Sequence, residues 1–288
     1  MIPTPFDYQV PATLEEAVAL LASDLDGAKV LAGGHSLIPA MKLRLAQPQL
    51  LVDIARIKSL SYIREEGDQI LIGATTTHYQ LESSDLLKTI CPLLPACAGS
   101  IGDVQVRNKG TIGGSIAHSD PAGDWPAAVL ALDADLVLVG TSGERIVKAE
   151  NFFVHFLTTD LQPGEILREI RIRKPSGRFG HAHQKVPHPA SGFAVVGVAV
   201  HLEFNDDGSC KSAGIGITGV GVKAYRAKAV EAALTGSNLD DNAIANAVTH
   251  VCDGIDPNSD LYASSAYRRH LAQVHTRRAI QAAKVNVK

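Results

Sequence analysis

Two glycine pairs restrict the fold of this chain more than any other feature of its sequence. Gly33-Gly34 and Gly113-Gly114 lie 80 residues apart, and a serine follows each pair within two residues. Glycine permits positive φ and close approach of the backbone, and successive N–H groups in such a loop form an anion site. Neither loop matches G-x-G-x-x-G or G-x-x-x-x-G-K-[ST], which disfavours a Rossmann dinucleotide site and a P-loop. The spacing alone therefore leaves two tight turns or, if the loops face each other, a clamp for a phosphate-bearing ligand.

Composition and charge exclude several classes of protein. The chain has 288 residues, of which 45% are hydrophobic and 20% are charged, as in a typical soluble globular protein. Its formal net charge of −3 gives no reason to expect a nucleic-acid partner. No apolar run approaches the ~18 residues of a membrane span, and the first ten residues lack a secretory signal. We expect a cytoplasmic protein, with association to the inner face of the membrane through a larger complex left open.

The potential metal ligands are scattered along the sequence. No cysteine belongs to a C-x-x-C pair, so the cysteines are interpreted as reduced, buried side chains. His181, His183 and His188 do not have the spacing of a metal triad, and they are interpreted as surface residues. We expect no metal on this chain, so a redox centre would have to be an organic cofactor or lie on another chain. The four cysteines are Cys91, Cys97, Cys210 and Cys252.

The order of predicted elements divides the chain into an α+β protein of two domains. Strand and helix alternate up to about residue 57, and strands and helices of a different pattern fill residues 58–176. The charged segment Arg173 to Arg178 contains Pro and Gly and is the predicted linker. Residues 177–288 form a long hairpin followed by helices. We therefore predict domains at 1–176, with subdomains of about 1–57 and 58–176, and at 177–288.

Three local expectations concern the glycine loops and their surroundings. A helix is predicted to begin at Ser36, and the segment Gly102 to Asp120 is predicted to be an irregular loop. Asp124 directly precedes another predicted helix, where it would serve as a cap. The inward-facing residues predicted for the first of these helices are Leu37, Ile38, Met41 and Leu45.

With their flanks, the two loops resemble those of the FAD-binding medium subunits of the molybdenum hydroxylases, the xanthine dehydrogenase family. The segments that carry this likeness are Ala32-Gly-Gly-His-Ser36 and Gly110-Thr-Ile-Gly-Gly-Ser115. Within the family, the residues are most similar to those of aerobic carbon monoxide dehydrogenases and their relatives. The likeness extends over nearly the whole chain, through Phe6-Asp-Tyr8, Leu51-Val-Asp53, Ile72-Gly-Ala-Thr75, Val106 to Thr111, Asp120 to Pro126 and Tyr267 to Leu271.

The resemblance implies a fold and a role. The fold would be the vanillyl-alcohol-oxidase, or PCMH-type, FAD-binding fold of two α/β subdomains, followed by a C-terminal α+β domain with an antiparallel sheet and helices. The chain would carry FAD, take electrons from [2Fe–2S] clusters on a small subunit, and pass them to a quinone, O2 or NAD. Substrate would be oxidised at a molybdopterin on a large subunit, in a dimer of heterotrimers. No side chain of this chain would then be a catalytic acid or base.

The resemblance also implies which residues contact FAD. Both loops would hold the pyrophosphate, through Ala32, Gly33, Gly34, His35, Ser36, Gly110, Thr111, Ile112, Gly113, Gly114 and Ser115. Further contacts to the rest of the cofactor would come from Asp124, Leu167, Lys185 and Phe193. Each of these four also has a structural interpretation: a helix cap, a core leucine, an exposed strand lysine and a core aromatic ring, respectively. By the same resemblance, the position of Phe193 looks like that of a tyrosine in carbon monoxide dehydrogenases, so the phenylalanine would keep the ring and remove the hydroxyl.

Two further questions stay open from the sequence. The last helix carries four arginines, Arg268, Arg269, Arg277 and Arg278. They indicate a solvated face or an interface with an acidic partner.

As for function, the alternatives to an electron-transfer subunit are a freestanding FAD-dependent oxidase or reductase and a non-enzymatic nucleotide-binding module. The C-terminal domain is small and poor in aromatic residues, which disfavours a freestanding oxidase with its own substrate cap.

Overall fold

The N-terminal segment folds into a small parallel sheet with helices, in a computed structural model that describes residues 2–288. The strand order is β1-β3-β2, and α1 begins where the Thr13 hydroxyl accepts a hydrogen bond of 3.2 Å from the Glu16 amide. The elements are β1 (Asp7–Gln9), α1 (Leu14–Ser23), β2 (Ala28–Leu31), α2 (Leu37–Lys42) and β3 (Leu50–Asp53).

Helix α2 is shorter than its apolar pattern predicts. It ends at Lys42, and Arg44 then adopts a positive φ of 59° that turns the chain away. Met41 is buried as expected, but Ile38 is 39% exposed and Leu45, which lies beyond the helix, is 80% exposed. The prediction that these two side chains face inward is therefore wrong, because the helix stops before Leu45 can return to the buried face.

The middle segment is built on an antiparallel sheet of five strands in the order β4-β5-β10-β6-β7. Helices from the long connection between β5 and β6 pack against it around the fully buried Trp125. The elements are β4 (Ile63–Glu66), β5 (Gln69–Gly73), α3 (His78–Ser83), α4 (Asp85–Ile90), α5 (Leu93–Gly99), α6 (Val104–Lys109), α7 (Ile112–His118), α8 (Trp125–Ala131), β6 (Asp135–Gly140), β7 (Gly143–Lys148), α9 (Ala149–Phe152), β8 (Phe153–His155), β9 (Thr158–Thr159) and β10 (Ile166–Arg173).

The segment predicted as an irregular loop, Gly102 to Asp120, instead contains helices α6 and α7. Each has a side-chain cap at its start. The Asp103 carboxylate accepts from the Val106 amide at 2.9 Å, and the Thr111 hydroxyl accepts from the Gly114 amide at 3.1 Å. Such caps satisfy amides that a short helix leaves unpaired, so they stabilise helices too short to show a clear apolar period.

The C-terminal segment is an antiparallel sheet of four strands in sequence order, covered by helices. The long helix α12 approaches β11 closely, since a Cβ on Gly180 would lie 2.0 Å from the Ala283 carbonyl oxygen. With the antiparallel sheet of the middle segment, this arrangement confirms the predicted α+β class. The elements are β11 (Arg178–Pro187), β12 (Ala194–Phe204), β13 (Cys210–Thr218), β14 (Tyr225–Arg226), α10 (Lys228–Leu234), α11 (Asp241–Ala247) and α12 (Ser265–Val285).

The middle and C-terminal segments meet along α8 and β13. A Cβ on Gly216 would lie 1.9 Å from the Ala127 carbonyl oxygen, and one on Gly214 would lie 2.0 Å from that of Ala131. The Thr218 hydroxyl, at the end of β13, donates to the carbonyl oxygen of Pro121 at 2.5 Å, in the turn before α8. The helix thus packs directly on the backbone of the strand, which places the turn before α8 against the C-terminal sheet.

Two predictions about side chains and membranes can be compared with the structure. The four cysteines are buried and form no disulfide, as expected. Within residues 2–288, no helix is both long enough and apolar enough to cross a bilayer.

Candidate functional site

The first glycine loop, Ala32 to Ser36, leaves β2 at the carboxyl edge of the parallel sheet. The five consecutive amides of residues 33–37 find no hydrogen-bond acceptor among residues 2–288. Gly34 has a φ of +72°, in the left-handed region that glycine adopts without strain. His35 lies at the surface, with Nδ1 2.8 Å from the Gly33 carbonyl oxygen. The loop therefore offers a run of free N–H donors, which is the chemistry that binds a phosphate.

The structure brings the two glycine loops into contact. A Cβ on Gly33 would lie 2.2 Å from the Lys109 carbonyl oxygen and 2.8 Å from Cα of Gly110. One on Gly114 would lie 3.8 Å from the Ala32 side chain. Glycine at position 33 is thus required by the approach of the second loop itself, because two backbones meet there with no room for a side chain.

The second loop, which in the structure is the turn at Gly110 and Thr111 and the first turn of α7, differs from the first in how its amides are used. The Gly113 amide donates to the Ala74 carbonyl oxygen at 2.9 Å, and the Ser115 amide donates to that of Thr111 at 3.0 Å. The Gly114 amide is held by the Thr111 hydroxyl. Ile112 is fully buried in the core, so only its backbone faces the loop. The first loop is therefore the main source of free amides, and the second loop forms the wall against which it rests.

Asp124 and Lys185 form a buried ion pair beyond the second loop. Asp124 Oδ2 accepts from Lys185 Nζ at 2.8 Å, and the same Nζ donates to the Ser100 carbonyl oxygen at 3.0 Å. The Asp124 side chain makes no capping hydrogen bond to α8, so its predicted role as a helix cap is wrong. Lys185 is not an exposed strand lysine either, since its side chain is only 8% exposed. Burial raises the pKa of Asp124 to about 6, against the opposing effect of the Lys185 ammonium.

The histidines of β11 are not surface residues as predicted. His181 is 7% exposed, and the side chain of His183 is 3% exposed. Burial lowers the pKa of each to about 4, so both are neutral near pH 7. Their alternating positions place them on the same face of β11 as Lys185. This polar face is covered where β11 packs against the middle segment.

Phe193 stands at the rim of a cavity of about 240 Å³ between the middle and C-terminal segments. Its ring is 47% exposed, so the interpretation as a core aromatic is wrong. The next residue, Ala194, donates its amide to the Ala122 carbonyl oxygen at 3.1 Å, which ties this rim to the turn before Asp124. The cavity is lined by Asp120, Pro121, Ala122, Phe156, His188, Ser191, Phe193, Ala194, Val195, Gly219, Asn258, Asp260 and Arg268.

Arg268, at the floor of this cavity, departs from the predicted solvated face. It is 7% exposed and donates to the carbonyl oxygens of Val195 and Gly219, both at 2.7 Å. Its ion pair with Asp260 completes the attachment of α12 to this end of the sheet. Arg269, Arg277 and Arg278 are exposed.

The predicted cofactor residues therefore form one continuous track, with one exception. The second loop reaches the turn before α8, since a Cβ on Gly123 would lie 3.8 Å from Ser115 Oγ. From there the track continues to Asp124 and Lys185 and, through Ala122, to Phe193. Leu167 is 4% exposed and belongs to the same core cluster as Ile112, away from this track. The contacts of all these residues with a cofactor stay predictions.

One pair of residues supports the site without having been singled out from the sequence. His78 Nδ1 accepts from the buried Trp125 indole N–H at 3.0 Å, and a Cβ on Gly110 would lie 2.6 Å from His78 Nε2. Burial lowers the pKa of His78 to about 4, so the ring is neutral and its Nδ1 is free to accept. No local pattern links these residues, because Trp125 follows His78 by 47 positions.

Comparisons with known proteins agree with this geometry. A family model described as the FAD binding domain in molybdopterin dehydrogenase matches residues 4–175, and one described as the CO dehydrogenase flavoprotein C-terminal domain matches residues 181–283. The chain is 40% identical to the carbon monoxide dehydrogenase medium chain of Afipia carboxidovorans, with 100% of both chains covered. It is 36% identical to the glyceraldehyde dehydrogenase medium chain of Sulfolobus acidocaldarius, covering 98% of this chain and 99% of that one.

A solved structure extends the likeness to three dimensions. The chain matches carbon monoxide dehydrogenase from Hydrogenophaga pseudoflava with a TM-score of 0.96 and 41% identity, covering 99% of both chains. The PCMH-type fold predicted from the resemblance is thus confirmed as the FAD-binding domain of the molybdopterin dehydrogenases. The chain belongs to the FAD-binding medium subunits of the carbon monoxide dehydrogenase-like molybdenum hydroxylases, and is a subunit of an oxidoreductase.

Proposed function

We propose that this chain is the flavin-carrying electron-transfer subunit of a molybdenum hydroxylase. In that role it takes electrons from [2Fe–2S] clusters on a small partner subunit and delivers them to an external acceptor such as a quinone, O2 or NAD. Substrate oxidation takes place at a molybdopterin on a large partner subunit. The assembly is a dimer of heterotrimers in the cytoplasm, with attachment to the inner face of the membrane through the complex left open.

The contact between the two glycine loops carries this proposal. Five adjacent free amides, at residues 33–37, end against the backbone of Lys109 and Gly110. A pyrophosphate has the charge and the acceptor oxygens that such a run of N–H groups binds. The residues present thus fit the cofactor that the family binds, and the first loop supplies most of the donors.

Other residues on the track have separate roles. The Asp124 carboxylate lies beyond the second loop and would accept from hydroxyl groups of the ribityl–adenosine part, while Lys185 balances its charge. The exposed ring of Phe193 would lie beside the isoalloxazine, and Leu167 would line the adenine pocket. Bound FAD supplies the redox chemistry, and the chain holds and orients it. No side chain on the track is needed as an acid or a base.

The names of the relatives and the positions of the potential metal ligands support partner subunits. The four cysteines are buried and distributed over both domains. Among residues 2–288, no three or more His, Cys, Asp or Glu side chains are grouped so as to hold a metal ion. The relatives are named as medium chains of dehydrogenases. Clusters and molybdopterin on separate chains are the arrangement that these facts support best.

The test has two stages. The chain is first expressed alone and its apoprotein is titrated with FAD, with flavin fluorescence as the readout; we expect one FAD per chain. The holoprotein is then mixed with candidate substrates, with and without its copurified partner subunits, while flavin absorbance is followed. Bleaching is expected only when the partners are present. A chain that takes up no FAD overturns the proposal, and bleaching by a small substrate without iron or molybdenum favours a freestanding oxidase or reductase.

A further inference from the structure

Two buried polar atoms face each other without a hydrogen-bond partner in the domain interface. They are Oδ1 of Asp124 and Nε2 of His183, and 3.9 Å separates them. Their side chains are 5% and 3% exposed, so bulk water does not satisfy them. An unpaired buried polar atom destabilises the folded state, because it has lost its hydrogen bonds to water. Each is therefore the natural partner of the other, and a shift of about 1 Å would bring them to hydrogen-bond distance.

The groups around Asp124 determine the charge of this pair. Lys185 and His183 reach it from β11, and Cys97 faces it from α5. Lys185 already occupies the other carboxylate oxygen, Oδ2. Burial and the nearby Lys185 ammonium both disfavour an imidazolium at His183, and the ring is neutral near pH 7. A neutral ring has one N–H to give, and Oδ1 of Asp124 is a carboxylate acceptor within reach of Nε2.

The strand geometry explains why His183 and Lys185 both lie beside one carboxylate. His183 and Lys185 are two residues apart on β11, so their side chains leave the same face of the sheet. Asp124 lies directly before α8 and points at this face rather than at the amides of its own helix. The Asp124 carboxylate thus lies in the interface beside both side chains instead of capping its own helix.

We propose that His183 is a positioning residue for Asp124: its neutral ring donates Nε2–H to Oδ1, so that His183 and Lys185 together hold the carboxylate ionised and fixed in orientation. An ionised carboxylate only accepts hydrogen bonds, which suits it to a hydroxyl of the cofactor's polyol or ribose. A protonated one would turn part of that capacity into a donor. The inference rests on the proposed function, in which Asp124 contacts FAD beyond the pyrophosphate.

The experiment measures FAD binding to the full-length apoprotein from pH 5 to pH 8. His183→Leu removes the donor and fills the space, and His183→Gln keeps an N–H near the same position. His181→Leu is the matched control, because this residue is equally buried on the same face of β11 but lies farther along the strand from Asp124. We expect His183→Leu to weaken FAD binding about tenfold at pH 7 and to move the acid limit of binding up by about one pH unit. His183→Gln should restore most of the affinity, and His181→Leu should leave the acid limit in place.

A second background separates positioning from simple packing. In Asp124→Ala protein, which has neither an ionisable group nor a hydrogen-bond acceptor at this position, His183→Leu should have no further effect on FAD affinity or on its pH dependence. Equal losses in both backgrounds, or an unchanged acid limit in His183→Leu protein, would overturn the inference. Melting temperatures of all variants identify any that fail to fold, and the His183→Gln result then decides. If the wild-type chain itself takes up no FAD, the proposed function is wrong, and the inference about His183 is overturned with it.

Discussion

Substitution of Gly33 by alanine tests whether the contact between the two glycine loops builds the cofactor site. The new Cβ would lie 2.2 Å from the Lys109 carbonyl oxygen and 2.8 Å from Cα of Gly110. Both neighbours are backbone atoms, which cannot rotate aside as the end of a side chain does. The loops must therefore separate by about 1 Å to restore a normal contact.

The structure also sets the size of the expected effect. Forcing an extra carbon into a closely packed contact costs about 1–3 kcal/mol. If that cost falls on the bound state, it corresponds to roughly a 5- to 150-fold rise in the Kd for FAD. The five free amides of the first loop would remain, so the loss would come from their displacement relative to the second loop.

The assay is a titration of apoprotein with FAD, followed by flavin fluorescence, together with a melting temperature. Gly99→Ala is the matched control. Gly99 lies within α5, and a Cβ there would be 3.4 Å from the Glu82 carboxylate, which is an ordinary van der Waals contact. That control should bind FAD like the wild type and melt at the same or a slightly higher temperature. Wild-type affinity in Gly33→Ala protein would refute the reasoning, since the contact would then have no role in binding.

Three further predictions concern the surrounding helices and charges. Thr111→Val should remove the cap of α7, lower the unfolding free energy by about 1 kcal/mol, and weaken FAD binding. Its control is Thr13→Val, which removes the same kind of cap from α1 and should lower the stability without changing FAD binding. Trp125→Phe should leave His78 Nδ1 buried and unpaired, lowering the unfolding free energy by about 1–3 kcal/mol, which a urea titration measures. Asp124 has a folded pKa of about 6 against an ordinary 3.8, so the stability it contributes is complete below about pH 4 and lost as the pH rises through about 6. Melting temperatures of wild type and Asp124→Asn from pH 4.5 to pH 7.5 should show this slope in the wild type only; parallel curves would contradict it.

The sequence was most informative where local chemistry decides the structure. The two glycine pairs are short patterns whose conformations depend on neighbours in the chain, and the structure brings them together. The short helices α6 and α7 were not predicted, because they have too few turns to show a helical period of apolar residues. Their caps, Asp103 and Thr111, stabilise them instead.

Residues that meet between the middle and C-terminal segments could not be found in this way. The face of β11 that carries His181, His183 and Lys185 alternates polar residues with a period of two, which ordinarily indicates a solvent face. In the structure that face is covered, and its partner Asp124 lies 61 positions away in sequence. Only the packing of one segment on the other turns a lysine and two histidines of a surface-like pattern into buried groups.

The close packing of α8 on β13 has a consequence for how this protein can be divided. Gly214 and Gly216 leave no space for even a methyl group between the strand and the carbonyl oxygens of Ala127 and Ala131. Separating the middle segment from the C-terminal segment would expose the backbone of α8 on one fragment and that of β13 on the other. Neither fragment could be exchanged for an unrelated module without redesigning that surface. The two segments are therefore joined in this chain by direct packing of backbone against backbone.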